Sequence, residues 1–115
     1  MSLDIERIDP GYRLGRLFAL LEKVQHDATN AKAGIRERYF GAASATPRSV
    51  FPQLIRTGQH HLSKAEYGGH VDRQIQSVME GLNTFPTHLS LEEQGLFTIG
   101  YYHQKNALYR KKEEE

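Results

Sequence analysis

Apolar residues in this chain recur at intervals of three and four, and no stretch alternates apolar with polar over the length of a strand. That spacing wraps an apolar stripe along an α-helix, so the chain reads as consecutive helices joined by short turns. Leu14, Leu17, Phe18, Leu21 and Val24 predict a first helix over about residues 12–28, opened by the turn residues Pro10-Gly11. A second, over about 31–43, turns Ile35, Tyr39 and Phe40 inward. Thr46 reads as the N-cap and Pro47 as the first helical residue of a third. That helix carries Val50, Phe51, Leu54, Ile55, Leu62 and Ala65, is kinked or delayed by Pro52, and is closed by Gly68-Gly69. Val71, Ile75, Val78, Met79 and Leu82 stripe a fourth, which ends near Phe85-Pro86. The fifth opens on Ser90-Leu91-Glu92-Glu93, a capping box in which Ser90 and Glu93 each satisfy the other's backbone N–H. Leu96, Phe97, Ile99, Tyr101, Tyr102, Leu108 and Tyr109 fall almost all round it, which marks a central helix. The expectation is an all-α fold, a compact bundle of about five helices over residues 12–110. Residues 1–11 read as an N-terminal extension or linker and 111–115 as a charged tail.

The same residues exclude most chemistry. A chain of 115 residues fits one domain. It has no cysteine, hence no disulfide, thiolate metal site or cysteine nucleophile. The hydrophobic share is 38%, low for a compact enzyme, and no apolar run approaches a membrane span. The start, Met1-Ser2-Leu3-Asp4, lacks a signal-peptide pattern, and the expected location is cytoplasmic. Gly95 and Gly100 have the outer spacing of a phosphate-binding loop, but Tyr101 stands where lysine is needed and the segment lies inside a helix. These glycines read instead as sites of close helix packing. His26, His60, His61, His70, His88 and His103 include no pair at the helical spacing a metal requires. No G-x-S-x-G elbow is present. The expectation is therefore a non-enzyme with no cofactor, no metal, no small-molecule substrate and no membrane contact.

Charge is the remaining signal. The net charge of +1 hides an asymmetry: residues 12–112 hold 14 Lys and Arg against 8 Asp and Glu, while the acidic residues crowd the ends. A basic domain of this size can meet a polyanion. Arg13, Arg16 and Lys23 fall within a narrow arc of the first helix, beside its apolar stripe. Lys32, Arg36 and Arg38 group on the second. Arg48, Arg56, His60 and Lys64 are spaced by multiples of four along the third. Nine of the fifteen cations are arginine, whose planar fork suits phosphate. Without a sequence-reading motif, contact would be to backbone phosphate. Tyr39, Tyr101, Tyr102 and Tyr109 are able to stack on bases, but their pattern assigns most of them to the core first.

Three strings carry a resemblance. They are Pro10-Gly11-Tyr12-Arg13-Leu14-Gly15-Arg16-Leu17-Phe18, Arg38-Tyr39-Phe40-Gly41-Ala42-Ala43-Ser44-Ala45-Thr46-Pro47 with Val50-Phe51-Pro52, and Leu89-Ser90-Leu91-Glu92-Glu93-Gln94-Gly95-Leu96-Phe97 with Gly100-Tyr101-Tyr102-His103-Gln104. They resemble the C-terminal region of the large subunit of the type I-C CRISPR Cascade complex, the Dvulg-subtype family. The likeness runs over roughly residues 9–110. It implies equivalence to the small subunit that this family makes by internal translation. That subunit is helical and non-catalytic, and lines the belly of the effector complex. The implied partners are the Cascade backbone and large subunits with guide RNA, and target DNA as the displaced single strand. The implied role is R-loop stabilisation in antiviral defence. The alternative is a structural assembly module whose basic faces dock other subunits without touching DNA.

Overall fold

Helix formation begins at Pro10, two residues before the expected start, because proline suits the first helical position and the Glu93 carboxylate and the Asp9 carbonyl accept from the Gly11 and Arg13 N–H groups of the first turn. The computed structural model describes residues 3–29, 35–64, 68–82 and 84–114, with side chains at all of these except 28–29, 62–64, 68–69 and 110–114. It contains α1 (Pro10–Thr29), α2 (Ile35–Ala45), α3 (Pro47–Lys64), α4 (Gly68–Glu80) and α5 (Leu91–Glu114), and no strand among the described residues. The fold is the expected all-α bundle of five helices.

The axis of the bundle is α1. From Gly11 to Leu21 every residue except Arg13 is buried, and α1 packs on all four other helices. Its partner along most of that length is α5. Glycine makes the pair unusually close. A Cβ at Gly15 would lie 2.0 Å from the Phe97 carbonyl oxygen, and one at Gly100 would lie 2.2 Å from that of Tyr12. Backbone meets backbone there, a spacing only glycine allows. The contacts advance together along both chains: Gly11 meets Glu93, Gly15 meets Phe97, and Glu22 meets Tyr101. The two helices therefore run parallel. Gly100 fills the packing role expected of it. Gly95 does not, because a Cβ there would meet nothing within 4 Å.

Phe18 is the hub of the core. Its ring lies 5.6 Å from Phe40, 6.4 Å from Phe51, 5.9 Å from Phe97 and 5.8 Å from Tyr101, centroid to centroid. Most of these are edge-on, the arrangement favoured by the ring quadrupole. One residue on α1 thus joins α2, α3 and α5. Helix α4 closes the remaining side with Val71, Ile75 and Val78.

Several local expectations are corrected. The capping box is half formed. Ser90 Oγ accepts from the Glu93 N–H at 3.1 Å, but the Glu93 carboxylate crosses to accept from the Gly11 N–H at 2.6 Å. The close α1–α5 approach brings the unpaired donors of α1 within reach, and α1 has no acid of its own in its first turn. Thr46 stands at the N-cap position, immediately before Pro47, and its carbonyl accepts from the Ser49 N–H at 3.0 Å, but its side chain does not cap α3. Its hydroxyl donates back to the Ala42 carbonyl at 3.0 Å, closing α2, while the Arg48 N–H of α3 is satisfied by the Pro86 carbonyl at 3.1 Å. Pro52 does not delay α3, which starts at Pro47 and runs through it. Gly68-Gly69 opens α4 instead of closing α3; glycine favours helix ends but is also accepted at a helix start, where the backbone N–H groups have no intrahelical partner. Residues 111–114, the charged end of the sequence, continue α5 as helix. Ala65 and residues 30–34 lie outside the described residues.

Candidate functional site

The three groups of cations separate in the fold. Those on α1 are taken up by packing. Arg16 is 4% exposed, and its Nε donates to Gln104 Oε1 at 2.9 Å. Gln104, itself buried, donates onward to Gln74 Oε1 at 3.2 Å, so the chain of bonds ties α1 to α5 and α4. Burial pulls the Arg16 guanidinium below the usual arginine range, and the neighbouring Tyr12 partly opposes that shift. Lys23 is nearly buried, with its ammonium 3.1 Å from Asp27 and 5.4 Å from the centre of the Tyr109 ring. Arg13 is half-buried, and its guanidinium lies against Gly81 at the end of α4. A cation there complements the unpaired carbonyls of that helix terminus. The expectation of a solvent-facing basic arc on α1 is thus overturned for Arg16 and Lys23. The reason is the glycine seam: α5 comes so close that Arg16 and Lys23 face a helix where solvent was expected.

The cations of α2 and α3 remain outside. Arg36, Arg38, Arg48, Arg56 and His60 are all exposed. The ion pairs among the described residues are Arg7–Asp9, Lys23–Asp27 and Lys105–Glu22, so none of these four arginines is neutralised by a described carboxylate. Arg38 lies 5.6 Å from the centre of the Tyr39 ring. Arg48 is tethered, its Nε donating to the Phe85 carbonyl at 3.0 Å, beside the Phe51–Phe85 ring stack. Arg56 and His60 share the outer face of α3, opposite the buried Val50, Phe51 and Leu54. The side chain of Lys64 and all of Lys32 fall outside the described residues. The structure therefore brings Arg56 and His60 of the α3 set onto one outer face, while Arg48 turns to the Phe85 carbonyl.

Arg36 takes part in a feature that sequence reading missed. It crosses from α2 to α5, where its Nη2 donates to the Tyr102 hydroxyl. Its guanidinium lies 5.5 Å from the centre of the Tyr102 ring and 5.7 Å from that of Tyr101. The two tyrosines differ completely. Tyr101 is fully buried and donates to Glu22 Oε1 at 2.6 Å. Burial, aided by that bond, pushes its hydroxyl well above the usual tyrosine range. Tyr102 is 38% exposed and Tyr109 40%. The signal was present in the spacing. Phe97, Tyr101, Gln104 and Leu108 trace the inner stripe of α5, while Ile99, Tyr102, Asn106 and Tyr109 trace the outer one. An element apolar all round therefore has one face in solvent, and α1 takes the central place assigned to it.

Among the described residues no group of three or more His, Asp or Glu converges as a metal site, and no helix is long and apolar enough to cross a membrane. What the surface offers is unneutralised guanidinium on α2 and α3 and exposed phenol on α5. Guanidinium binds phosphate in pairs of hydrogen bonds, and phenol rings stack on planar bases. The family model described as CRISPR-associated protein (Cas_Csd1) matches residues 1–109. No curated protein shows significant similarity to the chain.

Proposed function

The chain belongs to the Cas_Csd1 family of CRISPR-associated proteins, and on that premise we propose that it is a non-catalytic subunit or domain of a type I-C Cascade surveillance complex, equivalent to its small subunit. In this reading it works in the cytoplasm beside the guide-RNA-bound backbone subunits. It contacts nucleic-acid backbone and stabilises the R-loop opened in target DNA. The observation that carries the reading is the set of exposed arginines on α2 and α3 that no described carboxylate neutralises. Cations of this kind release counterions when they meet phosphate, which gives affinity without sequence preference. Guide pairing reads the sequence, so the protein need only hold backbone and displaced strand.

The test is Arg38→Glu with Arg56→Glu in the assembled complex. Both side chains are exposed and belong to none of the ion pairs among the described residues, so melting should not change. Target-DNA affinity is expected to fall, and the slope of log affinity against log salt to flatten by about 0.7–0.9 for each phosphate that is no longer neutralised. Unchanged affinity at two salt concentrations, with the chain incorporated, removes nucleic-acid contact through these residues.

A second reading, an assembly module that docks other subunits without touching DNA, draws support from a different place. Ile8 is 81% exposed just before α1 and Leu91 is 86% exposed at the start of α5. Because the two helices run parallel, both lie at the same end of the bundle. That reading expects loss of incorporation, and not of DNA affinity, when Leu91 is made polar.

A further inference from the structure

The outer face of α5 bears no acid between its two ends, where Glu92 and Glu113 stand. From Gln94 to Lys112 the sequence holds Lys105, Arg110, Lys111 and Lys112 and not one Asp or Glu. On that face stand Ile99, Tyr102, Asn106 and Tyr109, all exposed. Tyr102 and Tyr109 are seven residues apart, two helical turns, so their rings project on the same side about 10 Å apart along the axis. Each ring has a cation beside it: Arg36 at 5.5 Å from Tyr102 and Lys23 at 5.4 Å from Tyr109. The Tyr102 ring is further fixed by Arg36 at its hydroxyl and by the edge-on Tyr101 ring at 5.0 Å.

The geometry points to a base-stacking site for single-stranded nucleic acid on this face, with Tyr102 and Tyr109 as its two platforms. The inference rests on the nucleic-acid reading above and deepens it, from backbone contact to contact with unpaired bases. The pre-ordered Tyr102 ring loses little freedom on binding, and the exposed Arg36 beside it, which no described carboxylate neutralises, meets the phosphate that accompanies the stacked base, whereas Lys23 beside Tyr109 is already paired with Asp27. A stacked strand advances about 3.4 Å per nucleotide, so the two rings fit bases about three nucleotides apart. Duplex bases are already stacked on one another, so the site selects single strands and tolerates any sequence. A protein partner for a face with this charge would have to be acidic. The combination of open aromatic rings with flanking cations suits bases joined by phosphates better.

The probe is a fluorescein-labelled oligothymidylate longer than about 16 nucleotides, the upper site size of single-strand binding folds, alongside a duplex of equal length. Both are titrated with the full chain at two salt concentrations. Tyr102→Leu and Tyr109→Leu are each expected to weaken oligothymidylate binding about tenfold, with an unchanged salt slope, since no charge is removed. Tyr102→Phe, which keeps the ring, is expected to retain affinity. Duplex binding should not respond to any of the three. As a check that needs no substitution, photo-crosslinking of a bromouracil oligonucleotide to the wild-type chain should map to Tyr102 or Tyr109. Leucine variants that bind oligothymidylate like wild type, or crosslinks confined to other elements, overturn the stacking site. If Arg38→Glu still weakens binding in that case, backbone contact survives without stacking. A wild-type chain that binds neither probe overturns both readings. Leucine variants that keep oligothymidylate affinity but no longer join the assembled complex give the face to a protein partner and refute the proposal.

Discussion

Gly15→Ala should destabilise this protein, although the change favours helix formation. In a solvent-exposed helix, replacing glycine by alanine gains about 1 kcal/mol. At Gly15 the new Cβ would lie 2.0 Å from the Phe97 carbonyl oxygen and 2.8 Å from the Tyr101 nitrogen. Both are backbone atoms of α5, which no rotamer change can move. Real Cβ contacts begin at 3.0 Å, so α1 and α5 must part by about 1 Å along this seam. A gap of that size forfeits a quarter to a half of each dispersion contact it opens. The seam is lined by Tyr12, Phe18, Phe97 and Tyr101, all fully buried. Overpacking of this kind costs about 1–3 kcal/mol or more, and rigid backbone on the far side puts Gly15 at the upper end. After the helix-propensity gain, the net loss is about 2 kcal/mol, or a fall in melting temperature on the order of 10 °C. The control is Gly95→Ala, on the same helix pair but with nothing within 4 Å of its Cβ. It should raise the melting temperature by a few degrees. Circular dichroism melts of the two variants and wild type decide the matter. A Gly15→Ala protein that melts with wild type or above it would show that the two backbones are not in contact and refute the parallel seam.

Two further outcomes follow from buried polar groups. Arg16→Ala should lower stability by about 1–3 kcal/mol in urea titration, because it strands the buried Gln104 oxygen, whereas Arg38→Ala should leave the midpoint unchanged. Tyr101 keeps its proton in the folded state well beyond pH ~10, where it ionises once unfolded. The folded chain then binds more protons than the unfolded one, so stability falls as pH rises past ~10. In Tyr101→Phe that fall should be shallower by up to ~1.4 kcal/mol per pH unit, and equal slopes in the two proteins would refute the assignment.

How much of this was legible in the sequence divides along one physical line. Features written by spacing were readable: the stripes Leu14 to Val24 and Val71 to Val78, and the helix start at Pro47. Features set by which helix lies against which were not. Glu93 has the right spacing to bond its own helix start, yet it bonds Gly11 because α5 delivers it there. Thr46 has the chemistry of an N-cap, but the Ala42 carbonyl is nearer to hand. Arg13, Arg16 and Lys23 sit on an arc that a lone amphipathic helix would leave in water. Nothing in their spacing announces a second helix at backbone contact. The glycines did carry that information. Gly11, Gly15 and Gly100 mark a close crossing, but a sequence does not say which helices cross.

The seam also decides where function has to be sought. Arg13 and Arg16 lie in the string that most resembles a nucleic-acid-handling family, which makes them inviting targets for charge reversal. In the structure one packs on the end of α4 and the other is buried against Gln104. Reversing Arg16 places a carboxylate in a buried site opposite the Gln104 side-chain oxygen, which accepts hydrogen bonds and cannot donate one, so the core opens whatever the chain binds. A loss of DNA binding in such a variant reports unfolding. Arg38 and Arg56 are free of that confusion because no described carboxylate or core packing holds them. The cations available to phosphate are therefore those that the α1–α5 contact leaves outside. Charge on α1 maintains the fold that positions them.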